Sequence, residues 1–192
     1  MPKAKSQEIL NGGVSLPSER PGQPGGKRDQ NRKERIRLIQ QAALVLFLEQ
    51  GLGATTIDEI TKAAGTAKGN FYRYFRDKED LVRGILEPVT EKVDIDLTRA
   101  VEAIEVSQDR KTMVKAYEEL GRQLAALVGS HALILKLYLQ ESRGAKNGAR
   151  APICELSELI TTKAIEMTRK AHDNNLLRPF QAEISALAVV GA

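Results

Sequence analysis

Residues 55–78, TTIDEITKAAGTAKGNFYRYFRDK, contain the pattern that decides the fold of this chain. Apolar residues recur there at helical spacing and predict one short helix: Ile57, Ile60, Ala63 and Ala64. Thr56, followed three residues later by Glu59, forms a capping box, which marks the start of that helix. Gly65 is placed to end it, because the residue after a helix often needs the left-handed conformation that glycine tolerates.

A second short helix is predicted to follow at once, from about Ala67 to Phe75. Its aromatic residues can anchor one face in a core: Phe71, Tyr74 and Phe75. Gly69 costs about 1 kcal/mol relative to alanine inside a helix, which favours a site that an outside partner approaches closely. Two helices joined by a tight turn are typical of a helix-turn-helix, whose second helix can enter the DNA major groove. The alternative is an ordinary helical hairpin with aromatic packing.

The run from Ile36 to Leu86 resembles the DNA-binding domain of the tetracycline-repressor (TetR) family of bacterial regulators. The matching residues form a long ordered series: Ile39, Ala42, Ala43, Phe47, Gly51, Thr55, Thr56, Ile57, Ile60, Ala64, Gly65, Lys68, Gly69, Phe71, Tyr72, Tyr74, Phe75, Lys78, Glu79, Asp80 and Leu81. The resemblance implies an all-α protein. It would have an N-terminal three-helix helix-turn-helix domain followed by a helical domain for ligand binding and dimerisation.

Three segments are expected along the chain. Residues 1–31 are rich in proline and glycine and are expected to form a flexible basic arm. Residues 32–78 are expected to form the helix-turn-helix domain, and its first helix should begin at about Arg32. Residues 79–192 are expected to form the helical regulatory domain.

The regulatory segment carries several helix signals. Pro88 should kink or end the fourth helix. A fifth helix is expected from about Asp109, closed by Gly129 and Ser130, which would also cap the next one. Another helix is expected after Pro152.

The resemblance implies DNA contacts from the second helix of the motif and from basic residues around it. The candidate DNA-binding residues are Thr56, Thr66, Ala67, Lys68, Gly69, Asn70, Tyr72, Arg73, Lys78 and Arg32. Lys78 lies at a helix start, where the dipole disfavours a cation, and a DNA phosphate would explain it; pairing with a nearby acid is the alternative. Family members often have a hydroxyl residue where this chain has Ala67, so Thr66 could cap the helix one position early instead.

The positive charge of the chain is concentrated near its start. The net charge is +4, and residues 1–37 hold nine Lys/Arg and four Asp/Glu, which leaves −1 for residues 38–192. A phosphate-binding surface requires positive charge in this part of the chain. Four residues could follow the DNA backbone or enter the minor groove: Lys27, Arg28, Arg32 and Lys33. The alternative is a solvated tail.

The sequence offers no catalytic constellation, no Gly-rich phosphate loop and no metal-ligand pattern, so neither a cofactor nor a metal is expected. The single cysteine, Cys154, excludes an internal disulfide. His131 and His172 are isolated and are interpreted as capping or surface residues. No apolar run is long enough to cross a membrane, and a cytoplasmic protein is expected.

The resemblance implies a repressor released from its operator by a small-molecule effector. Candidate pocket residues are Tyr117, Leu120, Leu124, Leu137, Tyr138, Glu141 and Cys154; plain core is the alternative for each, and taken singly the favoured one. A homodimer on a near-palindromic site is expected of the full-length protein. The last helix, from about Pro179, is short for a dimer interface, so a chain truncated at its C-terminus is expected. The alternative function is a helical enzyme or ligand carrier.

Overall fold

The structure is a computed structural model that describes residues 26–177, and within this range the chain is helical without any strand. The elements in order are α1 (Lys27–Ala54), α2 (Ile57–Ala63), α3 (Lys68–Tyr74), α4 (Lys78–Glu105), α5 (Arg110–Glu141), a short 3-10 turn (Gly148–Arg150) and α6 (Ala151–Asp173). The predicted all-α fold class is confirmed. The predictions made for residues 1–25 and for a final helix from Pro179 lie outside the described residues.

The start and end of α2 follow the signals in its sequence. The Thr56 hydroxyl accepts a hydrogen bond from the Glu59 backbone N–H (3.2 Å), and the Glu59 carboxylate accepts one from the Thr56 backbone N–H (2.8 Å). This reciprocal capping box is the predicted one. Gly65 has φ +62° and ends the helix in the left-handed conformation.

Aromatic packing holds α3 in place. Phe71 is fully buried and Phe75 is 7% exposed, and their ring centroids lie 5.6 Å apart. They join the core that contains Ile39, Ala43 and Phe47 of α1. A helix of only seven residues is marginal in water by itself, so this packing determines where α3 lies.

Helix α1 begins earlier than the sequence predicted, at Lys27 rather than near Arg32. The final residues of the predicted arm are therefore helical. Asp29 lies in the first turn, where the helix dipole favours an acid, and it forms an ion pair with Lys33 one turn later (3.0 Å). The helical path breaks at Gly51, which has φ +85°, before a short final turn.

Helix α4 continues through Pro88, so the predicted end of the helix near Leu86 is wrong, and the predicted kink stays a prediction. Pro88 leaves the Gly84 carbonyl without its helical donor, a loss of about 3 kcal/mol in a helix interior. Leu86 and Val89, on either side of the proline, are buried in the core. Pro88 itself is exposed, and the packing of its neighbours allows the helix to continue past it.

Helix α5 contains the break predicted near Gly129, displaced to His131, whose φ and ψ of −131° and 33° are not helical. Ser130 does not cap the following segment as predicted. Its hydroxyl instead donates back to the carbonyls of the preceding turn, Ala126 (2.9 Å) and Leu127 (3.2 Å). Residues 132–141 therefore form a separate helical segment that is joined to the first through one irregular residue.

The regulatory helices pack around α4. Its buried residues Val93, Leu97, Val101 and Ile104 share one apolar core with residues of α5 and α6. At the far end, the Asn174 side-chain amide donates to the carbonyls of Ile104 (2.9 Å), Glu105 (2.9 Å) and Ser107 (3.1 Å). Two of these carbonyls belong to the last turn of α4 and the third lies just beyond it, so Asn174 ties the end of α6 to the end of α4.

Ala67 is the N-cap residue of α3 and supplies no side-chain bond. The Thr66 hydroxyl accepts instead from the Asn70 side chain (2.9 Å), so it does not cap the helix one position early. Ala67→Ser should therefore raise the free energy of unfolding by about 0.5–1 kcal/mol, because the new hydroxyl can accept a backbone N–H of the first turn. Chemical denaturation measures this. Ala63→Ser, at an exposed position inside α2, is the control and should give no gain; equal effects would contradict the capping assignment.

Candidate nucleic-acid interface

The face of α3 opposite its aromatic anchor is open to solvent. It brings together four of the sequence-predicted residues: Lys68, Gly69, Tyr72 and Arg73, all of which are exposed. A Cβ atom added at Gly69 would meet no atom of this chain within 4 Å. No packing inside the described structure therefore requires a glycine here, and the backbone of the first turn of α3 is accessible to an external partner.

Asn70 and Thr66 form a polar pair at the edge of this face. The Asn70 side-chain N–H donates to the Thr66 hydroxyl (2.9 Å), which fixes the orientation of the amide. Both residues line a groove of about 330 Å³ between α1 and the turn before α3. Arg35 of α1 lines the same groove and was missed in the sequence, although its spacing from Arg32 places both on neighbouring turns of one helix.

Lys68 pairs with an acid of the preceding helix. Its ammonium lies 2.9 Å from an Asp58 carboxylate oxygen, and this hydrogen bond together with the opposite charge raises the pKa of Lys68. Both side chains are exposed, and an exposed pair contributes little to stability. The ammonium is therefore charged at the surface and can be redirected to another anion at low cost.

Lys78 has an internal role that the sequence did not indicate. Its ammonium donates to the backbone carbonyls of Leu52 and Thr55, the latter at 2.9 Å. These backbone carbonyls, rather than a nearby acid, are its partners in the structure, and the phosphate contact stays a prediction. Burial lowers the pKa of Lys78, and the charge of Glu141 acts in the opposite direction. The residue fastens the connection between α1 and α2.

The remaining candidate DNA-binding residues, Thr56 and Arg32, lie outside α3. The Thr56 hydroxyl is engaged in the capping box with Glu59. Arg32 is exposed on α1, on the same helix as Lys27 and Arg28, which are also exposed. These basic side chains extend the positive surface away from α3 along α1.

The seven candidate pocket residues do not share one environment. Leu120 and Leu137 are buried in the core, whereas Tyr117 lies at the surface. The Tyr138 hydroxyl accepts from Ser157 (3.1 Å), and Cys154 lies against the loop at Gly144. The Glu141 carboxylate binds the Leu52 N–H and the Arg150 guanidinium. For all seven residues, a place in a ligand pocket stays a prediction.

A different cleft, of about 540 Å³, lies between the DNA-binding helices and the regulatory helices. Its apolar lining includes Ile36, Phe75, Leu86 and Leu156, and its charged lining includes Asp80, Arg83, Glu87, Glu91 and Glu155. Arg83 of α4 binds Glu155 of α6 across it. The sequence could not indicate this cleft, because it forms where α6 meets α1, α3 and the start of α4, from which α6 is distant along the chain.

Two further properties concern residues 26–177. No group of three or more His, Cys, Asp or Glu side chains in that range is arranged to hold a metal ion. No helix described there has both the length and the apolar composition to cross a membrane.

A capped helix, a glycine turn and a short helix with an open outer face, supported by a basic first helix, together define a helix-turn-helix DNA-binding protein. Residues 39–85 match the family model of bacterial regulatory proteins of the tetR family. That range contains α2, α3 and most of the α1 core positions.

Curated relatives of the chain are transcriptional regulators. The HTH-type transcriptional regulator YhgD of Bacillus subtilis is 24% identical over 160 residues, which cover 82% of this chain and 79% of YhgD. YuxN of the same organism is 40% identical over 162 residues, and AcrR of Shigella flexneri is 43% identical over 61. The match covers 51% of YuxN and 28% of AcrR, less than two thirds of either protein.

Solved structures share the fold. The SmeT–triclosan complex has a TM-score of 0.61 at 20% identity, with 82% of this chain and 76% of that chain covered. AibR in complex with isovaleryl coenzyme A and operator DNA has a TM-score of 0.57 at 21% identity, with 82% of each chain covered.

The chain contains the DNA-binding domain of the TetR family of bacterial regulators, over residues 39–85. It is accordingly a DNA-binding transcriptional regulator and not an enzyme. Regulators of this family bind operator DNA and small-molecule ligands.

The contacts of Lys78 give a stability prediction. Lys78→Met removes a charged donor from the carbonyls of Leu52 and Thr55, so the free energy of unfolding should fall by about 1–3 kcal/mol. Denaturant titration measures the change. Lys62→Met, at an exposed position of α2, is the matched control and should change little. A Lys78→Met variant as stable as this control would contradict the internal role.

Proposed function

We propose that this regulator is a repressor that binds a near-palindromic operator as a homodimer and is released by a small-molecule effector. The observation that carries the proposal is the outer face of α3, where the open backbone at Gly69 lies beside exposed Lys68, Tyr72 and Arg73. The proposed location is the cytoplasm, where a bacterial chromosome is accessible.

The proposed division of roles follows the chemistry of each side chain. The Asn70 amide can donate to and accept from a base edge, which suits sequence recognition in the major groove. Lys68, Arg73 and the Tyr72 hydroxyl suit phosphate oxygens, which set position but carry no sequence information. Arg32 and Arg35 on α1 suit the backbone beside the groove. Glycine at position 69 allows the helix to come close to a phosphate.

Release by an effector is supported by the arrangement of α4. This helix of 28 residues begins at the helix-turn-helix unit and continues into the core of the regulatory helices. A ligand among those helices could tilt α4 and so move α3. Two proteins that share the fold indicate a chemical range for the effector: SmeT has been solved in complex with triclosan, and AibR in complex with isovaleryl coenzyme A and operator DNA.

The experiment that tests the proposed function is a measurement of DNA affinity at several salt concentrations, with sequences selected from a random pool. Phosphate contacts release counterions, so the logarithm of the affinity should fall linearly with the logarithm of the salt concentration. The selected sequences should show two-fold symmetry. Affinity that is absent, or that does not depend on salt, would contradict the proposal and favour a ligand carrier.

Asn70→Ala should weaken binding to the selected sequence more than binding to random DNA. The loss of a base contact should cost about 1–3 kcal/mol of discrimination. Tyr72→Phe is the comparison and should weaken both affinities by similar factors, as a backbone contact does. Fluorescence anisotropy titrations give both constants. Equal losses on the two DNAs for Asn70→Ala would remove this residue from base recognition.

The start of α1 should contribute charge to DNA binding. Replacing Lys27 and Arg28 together by glutamine should flatten the salt dependence by up to about two units of slope, since each phosphate contact adds about 0.9. The matched control replaces Lys111 and Lys115, exposed at the start of α5, in the same way. An unchanged slope in the first variant would make this end of α1 a solvated surface.

A further inference from the structure

The connection between α1 and α2 is held from outside the DNA-binding helices. The Leu52 backbone N–H donates to a carboxylate oxygen of Glu141 (3.1 Å), 89 residues away along the chain. The carbonyls of Leu52 and Thr55 accept from the Lys78 ammonium. This connection leads directly into the capping box at Thr56, so whatever holds it also sets the start of α2.

Glu141 joins three parts of the molecule. It is the last residue of α5, and it is 7% exposed. Its second carboxylate oxygen accepts from the Arg150 guanidinium (2.6 Å), immediately before α6. One buried carboxylate therefore binds the ends of two regulatory helices and a backbone amide of the DNA-binding unit. We call this set of contacts, made by Glu141, Arg150 and Leu52, the Glu141 clamp.

Gly51 allows the clamp to close. With φ +85°, it adopts a conformation that other residues rarely take, and it lies between the main part of α1 and its final turn. A Cβ at this position would lie 3.5 Å from the same Glu141 oxygen that binds Leu52. The carboxylate thus packs directly against the backbone of the turn.

We propose that Glu141 is a positioning residue, which fixes the orientation of the helix-turn-helix unit relative to α5 and α6. A displacement of the 132–141 segment would then move α2 and α3. The irregular residue His131 separates this segment from the rest of α5, so the segment can shift without the whole helix. Helix shifts of about 1–2 Å are typical of switching proteins and are large enough to break hydrogen bonds of this length. The part of this inference in which a displacement of the 132–141 segment regulates DNA binding rests on the proposed function.

A carboxylate is required because two donors converge on one side chain. Its two oxygens accept from Leu52 and Arg150 at once, and both bonds are charge-assisted. A glutamine of the same shape has only one acceptor oxygen. Its N–H₂ group, which is a donor, would face either the Leu52 N–H or the Arg150 guanidinium, both of which are donors too. Glu141→Gln therefore loses one arm of the clamp while it preserves packing.

The test uses Glu141→Gln, with Glu158→Gln as the matched control. Glu158 is exposed on α6 and pairs with Lys146 at the surface, so it carries the same chemistry outside the clamp. Arg150→Met provides a second variant that leaves Glu141 in place. Circular dichroism establishes that each variant folds.

The first readout is the distance between spin labels on Lys62→Cys and Thr162→Cys in a Cys154→Ala background. Both labelled positions are exposed, one on α2 and one on α6. Labelled chain is diluted into excess unlabelled chain, so that only distances within one chain are recorded. Glu141→Gln and Arg150→Met should broaden or shift the distance distribution, and hydrogen exchange at the Leu52 amide should rise by about fivefold in Glu141→Gln. A distribution identical to that of Glu158→Gln would overturn the proposal.

The second readout is affinity for the selected DNA. Glu141→Gln should lower it by about three- to tenfold, although the residue touches no residue of α3. A changed distance with unchanged DNA affinity would make the clamp purely structural and would also overturn the positioning role. Absence of DNA binding by the unmodified chain would contradict the proposed function, whereas the distance measurement would still decide whether the clamp exists.

Discussion

The position of α3 depends on the burial of Phe71. A seven-residue helix does not form stably by itself, because nucleation costs more than so few hydrogen bonds return. Phe71 is fully buried against the α1 core, and Phe75 packs beside it. The polar outer face of α3 is left free for recognition because the inner face alone holds the helix. This constraint explains why buried aromatic residues, rather than helix propensity, determine the position of α3.

The same constraint makes the recognition surface sensitive to its surroundings. Because α3 is held by packing, any movement of α1, α2 or the start of α4 is passed on to it. Lys78 and Glu141 act at this point: both bind the backbone between α1 and α2, one from the start of α4 and the other from the end of α5. Arg83 and Glu155 add a tie between α4 and α6 across the interdomain cleft. The DNA-binding unit is thus connected to the regulatory helices by charged side chains as well as by the chain itself.

Local signals in the sequence were enough to predict the helix-turn-helix unit. The capping box of Thr56 and Glu59, the glycine turn and the aromatic spacing of α3 all depend on residues within a few positions of each other. The two errors have different causes. Pro88 breaks isolated helices, but buried neighbours keep α4 intact. The earlier start of α1 is accompanied by a local signal that the prediction did not use, the ion pair of Asp29 with Lys33 one turn later.

The contacts of the site were harder to predict than its elements. Glu141 was interpreted as a pocket residue because its position on a helix gives no sign of a partner 89 residues earlier. Lys78 was interpreted from the helix dipole and the family resemblance, neither of which indicates that two backbone carbonyls lie within reach. The interdomain cleft was not predicted for the same reason, since four separate helices form its walls. Sequence patterns indicate which face of a helix a residue occupies. Only the folded structure shows which residues of other helices that face contacts.

Photo-crosslinking tests most directly whether α3 is the element that contacts DNA. A benzoylphenylalanine placed at Tyr72, on the open face of α3, is compared with one at Tyr117, which is also at the surface but on α5. If α3 enters the groove, irradiation with the selected duplex should yield a protein–DNA adduct at position 72 and none at position 117. Adducts of equal yield at both positions, or an adduct at position 117 alone, would contradict the assignment of α3 as the recognition helix.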